Sequence, residues 1–410
     1  MNRDQVNFFF LNVGHFFDHL CMLIFATVAA LRLSMEWDMT YSQLIPYATP
    51  GFIAFGVFAI PAGWLADKWS REGMMTIFFI GMGLSTLFTA FAQTPLQIGA
   101  GLFMIGVFAA IYHPVGIAMV VHGREKTGVP LAINGIFGNM GVAVAALLTG
   151  YLIDTSGWRA AFVAPGIICI GFGIAYALFL YNGRHARAEE IASGAAAKKA
   201  AAGTIALDRA MFIRVFAIIM FTTAIGGIIF HSTTFALPKI FDERLADIAG
   251  SATTVGFYAF LVFALAAFAQ LVVGYLVDHH SVRLVFAAVA GLQAIFFAIM
   301  LNLTGYAALI VAFGFMLVVF GQIPINDVLV GRITRSEWRS RVYALRYILT
   351  LGVAATAVPL IAVVYANWGF AMLFIIMACA AAVIFTAVLF LPRTGAVTRT
   401  PAAAGAAEAD

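Results

Sequence analysis

The sequence predicts an all-α membrane protein whose twelve transmembrane helices form two pseudo-symmetric six-helix bundles. The first observation is composition: of 410 residues, 63% are hydrophobic and 10% are charged, and the mean hydropathy is +0.99. A soluble domain is about 45–50% apolar and about 25% charged. The other two observations are the number of charge-poor runs and a motif that recurs once in each half. This composition excludes a soluble enzyme, a disordered chain and a nucleic-acid-binding protein.

The charge-poor runs supply the twelve helices in order. A helix needs about 20 apolar residues to cross a bilayer. Three long runs each divide into two spans, at Thr94-Pro95, near 302–305 and near 367–369. The first run contains one charged residue, Asp18. The runs are 6–31, 39–66, 73–123, 127–153, 160–183, 215–238, 248–277, 284–326 and 347–392.

The distribution of basic residues predicts the orientation. With the N-terminus inside, 18 Lys and Arg residues lie on the cytoplasmic side and 4 on the other side. Cytoplasmic loops of membrane proteins carry such an excess. The first apolar run is too long for the core of a signal peptide and lacks a small-residue cleavage site. We therefore expect an integral protein of the bacterial inner membrane, with both termini in the cytoplasm and the first helix retained.

The chain repeats itself across its midpoint. The segment GWLADKWS at 63–70 recurs as GYLVDHHS at 274–281, and Pro114 and Pro324 are 210 residues apart. Near-constant offsets indicate a duplicated six-helix unit, as in transporters with parallel repeats. The predicted domains are an N-terminal bundle, a cytoplasmic linker, a C-terminal bundle and a disordered cytoplasmic tail. Their ranges are 1–182, 183–210, 211–392 and 393–410.

The loop between helices 2 and 3 carries a family resemblance. Its motif matches the pattern G-x-L-A-D-R/K-x-G-R-R/K at Gly63, Leu65, Ala66, Asp67, Lys68 and Arg71, with Ser70 and Glu72 departing from it. This motif, together with the twelve spans in two halves, makes the chain resemble the major facilitator superfamily. That resemblance implies secondary active transport by alternating access, with no enzymatic activity and no cofactor.

Two further motifs resemble the fosmidomycin-resistance-like branch of that superfamily. They are Gly14-His15-Phe16-Phe17-Asp18 in helix 1 and Tyr112-His113-Pro114 in helix 4. This resemblance implies proton-coupled export of a small organic solute.

Intramembrane ionisable residues are the candidates for chemistry, because each costs about 2.5–3.5 kcal/mol to insert. His15, Asp18 and His19 follow i, i+3, i+4 spacing and share one face of helix 1. An imidazole beside a carboxylate titrates close to neutral pH, which suits proton coupling. We therefore predict that these three residues couple protons to transport.

Other polar residues of the spans are predicted to bind substrate or to form gates. The predicted substrate-binding residues are His15, His19, Asn12, His113, His231, Gln322, Asn326 and Arg346. The resemblance implies that Asp67 stabilises one conformation of a cytoplasmic gate, with Arg71 as its partner. The remaining predicted gating residues are Gly63, Asp278 and Asp327.

Two alternatives stay open within the transporter class. One is proton-coupled uptake of an organic anion, with Arg346 as the anchor. The other is transport of a transition metal or metal chelate, since imidazole and carboxylate groups bind divalent metals. A metal site would begin with His15, Asp18, His19 and Met22.

Motifs typical of other classes do not occur in the sequence. There is no H-E-x-x-H, no G-x-S-x-G and no P-loop G-x-x-x-x-G-K-[ST]. We therefore expect no enzyme and no ATP-driven pump. The expected partners are a small-molecule substrate, protons and the lipid bilayer, without nucleic acid and with a monomer as the functional unit.

Overall fold

The structure, a computed structural model, describes residues 2–124, 128–183, 209–333 and 336–392. The predicted linker falls almost entirely outside these residues, and the predicted tail falls wholly outside them. The described chain is helical, in agreement with the predicted fold class.

The helices follow the predicted order and are numbered along the chain. The final helical stretch, Ser336–Val388, is divided at Gly369 into α11 (336–368) and α12 (370–388). Among the described residues, eleven helical stretches are long and apolar enough to cross a membrane, and the last of them, Leu349–Val388, contains the later part of α11 and all of α12. The other helices are α1 (Arg3–Glu36), α2 (Tyr41–Lys68), α3 (Arg71–Thr89), α4 (Pro95–Val121), α5 (Gly128–Ser156), α6 (Ala160–Asn182), α7 (Arg209–Arg244), α8 (Ala252–His279), α9 (Val282–Asn302) and α10 (Gly305–Ile333).

Local signals set the helix boundaries. Thr94 caps α4 by accepting a hydrogen bond from the backbone of Gln97, and Pro95 occupies the first turn, where no backbone donor is needed. This confirms the predicted break at 94–95. The helix α7 is longer than its charge-free run, because it continues through Pro238 to Arg244.

Polar contacts at both ends show that α1 and α6 run in opposite directions. At the face where α1 begins, called the proximal face, Arg3 donates a hydrogen bond of 2.6 Å to the carbonyl of Gly183, after the end of α6. At the opposite, distal face, Trp158 beside the start of α6 donates a 3.0 Å bond to Glu36 at the end of α1. Under the predicted orientation the proximal face is cytoplasmic.

The two halves meet mainly along α5 against α8 and along α2 against α11. Small residues allow the first of these contacts. A Cβ atom at Gly256 would lie 3.0 Å from the carbonyl carbon of Ala146, and one at Gly150 would lie 2.9 Å from that of Ala252. Such close backbone approach is the usual basis of helix association in a membrane.

Polar and aromatic contacts join the halves at the distal face. Asp154 at the end of α5 accepts hydrogen bonds from the backbone nitrogen of Thr253 at 2.7 Å and from its hydroxyl at 2.5 Å. The rings of Tyr41 on α2 and Tyr365 on α11 meet edge to face at 5.4 Å. We call the Asp154–Thr253 contact the distal latch, because it links the two halves.

The turn between α11 and α12 makes a testable demand on Gly369. Its φ of 68° and ψ of −173° lie in a region that essentially only glycine adopts. Replacing Gly369 with Ala should lower the free energy of unfolding by about 1–3 kcal/mol. Gly352, in the interior of α11 with open space around it, is the matched control, and its replacement by Ala should be neutral or stabilising.

The measurement is thermal unfolding of the two variants in one detergent. Equal melting temperatures for G369A and G352A would contradict the assigned backbone conformation.

Candidate functional site

A buried polar face of α1 forms the centre of the candidate site. Asn12, His15 and Asp18 are buried, and His19 is half-buried. The side chain of Asp18 has no exposed surface. Its two oxygens make no hydrogen bond within the described residues. Oδ2 lies 3.4 Å from Nε2 of His113, which is an ion-pair distance.

A π-helical turn in α4 carries His113 to this position. The turn covers Tyr112–Gly116 and includes Pro114, which has no backbone donor. Such π turns are rare and frequently occur at functional sites. A proline interrupts the regular hydrogen bonding of a helix, and the π turn is the form that this irregularity takes here.

Three imidazole rings converge at the site. The ring centroids of His15 and His19 are 5.0 Å apart, those of His15 and His113 are 5.4 Å apart, and those of His19 and His113 are 5.7 Å apart. Nε2 of His19 lies 3.2 Å from Nε2 of His15. Tyr112 stacks on His15, with 4.8 Å between centroids and 18° between planes.

Asn134 of α5 holds this arrangement together. Its carbonyl accepts a 2.8 Å hydrogen bond from Nδ1 of His15, which assigns the proton to that nitrogen because a carbonyl cannot donate. Its side-chain amide donates to Asn12 at 3.0 Å and to the hydroxyl of Tyr112 at 2.8 Å. That hydroxyl in turn donates to the carbonyl of Leu11 at 2.7 Å. The network fixes the position and tautomer of His15.

His231 of α7 approaches the same region from the C-terminal half. Its ring lies 6.4 Å from that of Phe52, while the ring of His113 lies 5.6 Å from that of Phe55. Phe52 and Phe55 are three residues apart on α2, so both histidines pack on one face of that helix. Nε2 of His231 is buried and makes no hydrogen bond within the described part of the chain.

A second polar group lies in the C-terminal half. Gln293 donates to Gln322 at 2.8 Å, and Asn326 is buried. Arg346 forms an ion pair with Asp327.

The predicted gating residues lie near the proximal face. Arg71 and Asp67 form an exposed ion pair of 2.8 Å, as the sequence predicted. A Cβ atom at Gly63 would lie 3.2 Å from that of Pro114, so Gly63 does permit close approach of α2 to α4. Asp278 is exposed near the end of α8.

The sequence reasoning missed several residues. Asn134 is not among the predicted site residues, although a polar amide within a charge-free span is a signal that could have identified it. Tyr112 was noted only as part of a motif. The distal latch of Asp154 and Thr253 was missed, because both residues stand at helix ends where polar side chains are common. Met22, included in the metal alternative, lies in the apolar core.

Comparison with a family model settles the class of the chain. Residues 9–246 and 240–409 match the model described as Major Facilitator Superfamily. The chain belongs to the Major Facilitator Superfamily. The members of that family are membrane transporters, and the family is not a class of enzymes.

Curated relatives of this superfamily protein match over part of their length. A probable hexose phosphate transport protein of Chlamydia pneumoniae is 25% identical over 41% of this chain and 37% of its own length. A probable sulfoacetate transporter of Cupriavidus necator is 24% identical over 39% and 38%. The niacin transporter of Acinetobacter baylyi is 28% identical over 39% and 37%. The chain thus covers less than two fifths of each of these relatives.

Solved structures share the whole fold. The inward-open xylose transporter XylE from E. coli has a TM-score of 0.71 and 11% identity, covering 96% of this chain and 97% of its own. A bacterial homologue of the human lysosomal transporter Spinster has a TM-score of 0.69 and 13% identity, covering 95% of each chain. These identities support the fold alone.

The packing of Gly138 on His15 gives a test of the site. A Cβ atom at Gly138 would lie 2.6 Å from Nε2 of His15, so G138A should displace the ring from Tyr112 and Asn134. We expect a loss of about 1–3 kcal/mol in the free energy of unfolding. Gly135, one turn earlier on α5, is the control, because the nearest atom to its added Cβ would be 3.9 Å away.

Thermal unfolding of both variants measures the effect. A G138A protein as stable as G135A would show that His15 does not pack against α5 as described.

Proposed function

We propose that this chain is a proton-coupled secondary transporter that exports a small organic solute across the bacterial inner membrane by alternating access. Membership of the superfamily supports the transport class. The named cargoes of the relatives, which include sulfoacetate and niacin, support a small polar solute. The helix 1 and helix 4 motifs around Asp18 and His113 support a place in the branch that resembles fosmidomycin-resistance proteins, and with it export.

The observation that carries the proposal is the fully buried Asp18 beside His113. A lone carboxylate in an apolar interior is so costly that it is either neutralised by a proton or balanced by a cation. Here the balancing group is an imidazole, which carries a positive charge only when it is protonated. The charge of the pair therefore depends on whether a proton is bound.

This dependence supplies a coupling step. Closing the two halves around the site removes water from it, which favours a neutral or internally paired cluster over a net charge. Proton binding at Asp18, His15 or His19 thus biases which conformation the protein adopts, and solute binding biases the same equilibrium. If either a bound proton or a bound solute molecule allows the two halves to close around the site, then the protein carries solute in one direction and protons in the other.

Solute contacts come from both halves in this proposal. Asn12, His15, His19 and His113 contribute from the N-terminal half. On the other side, buried Nε2 of His231, Nε2 of Gln322 and Oδ1 of Asn326 make no hydrogen bond within the described residues. Buried polar atoms without partners are costly, so they are suited to bind a polar solute.

Arg346 takes a different position in the proposal. Its guanidinium is already paired with Asp327, so no specific observation favours its use as the anchor of an imported anion. We assign the pair, together with Asp67, Arg71, Gly63 and Asp278, to gating at the proximal face. The proposed unit is a monomer with both termini in the cytoplasm.

The proposal predicts that D18N uncouples transport from protons. The protein is reconstituted in liposomes with an imposed pH gradient and a panel of gallate, nicotinate, sulfoacetate and fosmidomycin. Proton movement is followed with a trapped pH dye and solute movement by mass spectrometry. Wild type should exchange solute for protons. The proton-driven exchange by D18N should fall to the level of empty liposomes, because an amide cannot carry the proton.

The matched control is D38N, because Asp38 is exposed in the loop after α1. It should keep wild-type exchange. Proton-driven exchange that persists in D18N would remove Asp18 from coupling, and co-movement of solute and protons would reverse the proposed direction.

Alternating access predicts that the distal latch must open during the cycle. Cysteines in place of Asp154 and Thr253, with the exposed Cys379 replaced by Ser, should form a disulfide on oxidation. The cross-link should stop flux, and reduction should restore it. Undiminished flux in fully cross-linked protein would show that this contact need not separate.

A further inference from the structure

The strongest further signal is the meeting of three histidines on two helices. Each of His15, His19 and His113 offers one ring nitrogen as a ligand, and these three atoms all lie within 4.8 Å of one another. Two of these residues are one turn apart on α1, and the π turn of α4 supplies the third. Helical spacing alone therefore does not bring them together, and the irregular turn completes the set.

The spacing suits a shared metal ion. Zinc binds imidazole nitrogen at about 2.0–2.1 Å with tetrahedral geometry, which places two ligand nitrogens about 3.3–3.4 Å apart. The Nε2 atoms of His15 and His19 are 3.2 Å apart. The ligand atom of His113 lies within 4.8 Å of those of the other two histidines, so its distances to them need to shorten by at most about 1.4 Å to reach the same geometry.

The surroundings also match those of metal-binding histidines. Such a residue usually donates its second ring nitrogen to a carbonyl or carboxylate, which fixes the tautomer and directs the lone pair to the metal. Nδ1 of His15 donates to the carbonyl of Asn134. This leaves Nε2, the nitrogen that faces His19, as the one without a proton. The Asp18 carboxylate lies beside the His113 ring.

Charge favours a cation at this point. Three neutral imidazoles carry no charge, and an ionised Asp18 contributes one negative charge, whose ion-pair contact within the described residues is with His113. A divalent ion bound by the imidazoles would neutralise that carboxylate. Oxygen-seeking ions such as Mg²⁺ and Ca²⁺ prefer carboxylate and water, whereas imidazole suits zinc, copper and nickel.

Three histidines leave a fourth coordination position open. A site of this kind binds water or a substrate group at that position. His231 packs on the same face of α2 as His113, and its buried Nε2 has no hydrogen-bond partner in the described residues. Because His231 belongs to the other half, a ligand at the open position would face the interface that moves.

We propose that His15, His19 and His113 form a binding site for a divalent first-row transition metal, with Zn²⁺, Ni²⁺, Co²⁺ and Cu²⁺ as its chemical class. The metal reaches the site either as the bare ion or within a small organic chelate that fills the open position. Its role as cargo rests on the proposed transport function, whereas its binding does not.

The test is metal binding by the whole purified chain in detergent, prepared with an affinity tag that contains no histidine and stripped with a chelator. Co²⁺ is added while its visible absorption is recorded, and Zn²⁺ is titrated by calorimetry. Wild type should bind one ion per chain and show the intense bands of tetrahedral Co²⁺ with nitrogen ligands. Parallel titrations with Zn²⁺ alone and with Zn²⁺ presaturated with citrate distinguish the bare ion from a chelate.

Variants assign the ligands. H19A and H113A should each lower the affinity by at least about tenfold. H279A and H280A are matched controls from the exposed end of α8 and should bind as wild type does. Melting temperatures without metal confirm that each variant is folded, and H19Q and H113Q provide less disruptive replacements.

Absence of saturable binding by wild type in both titrations would overturn the proposal, as would equal affinity of wild type and the folded H19 and H113 variants. Failure of the transport function is separate. Metal that binds as predicted, in a protein that moves no solute or metal across liposomes, would overturn the proposed function and leave the site intact. Flux of organic solutes without metal binding would do the reverse.

Discussion

The central constraint on this molecule is the burial of the Asp18 carboxylate in the middle of a membrane-spanning helix. An unbalanced charge there costs several kcal/mol, so the surrounding structure must supply a partner. His113 is that partner, at 3.4 Å. The π turn that positions it contains Pro114 and Gly116, and Asn134 and Gly138 provide the polar support and the space for His15. These features meet around Asp18, His113 and His15, which lie together.

The two-bundle fold places this unit where conformational change can act on it. The Asp18 cluster belongs to the N-terminal half and His231 to the other, and the halves meet along small residues of α5 and α8. Small residues permit close approach with little side-chain interlocking, and the latch from Asp154 to Thr253 involves one carboxylate. Metal ions and protons compete for imidazole nitrogens, so the two proposed occupants are exchangeable at one site.

Much of the fold was predictable because membrane insertion restricts the chain so strongly. Twelve spans, the break at Thr94-Pro95 and the turn at Gly369 follow from charge-free length and from glycine and proline positions. The shared face of His15, Asp18 and His19 follows from helical spacing. The contact between Asp18 and His113 could not be derived in this way, because it joins residues 95 positions apart through a π turn. Asn134 and the distal latch likewise act through tertiary contacts that no local pattern encodes.

The central claim is that the histidine and carboxylate cluster lies between the halves and is reached from one face of the membrane at a time. The most direct measurement is the reactivity of a cysteine in place of His231, in a background with Cys379 replaced by Ser, toward membrane-impermeant thiol reagents added to either side of oriented vesicles. The account predicts labelling from both sides in freely cycling protein, with labelling from the distal side lost when the distal face is held closed. A cysteine at position 231 that reacts from neither side in transport-competent protein would contradict it.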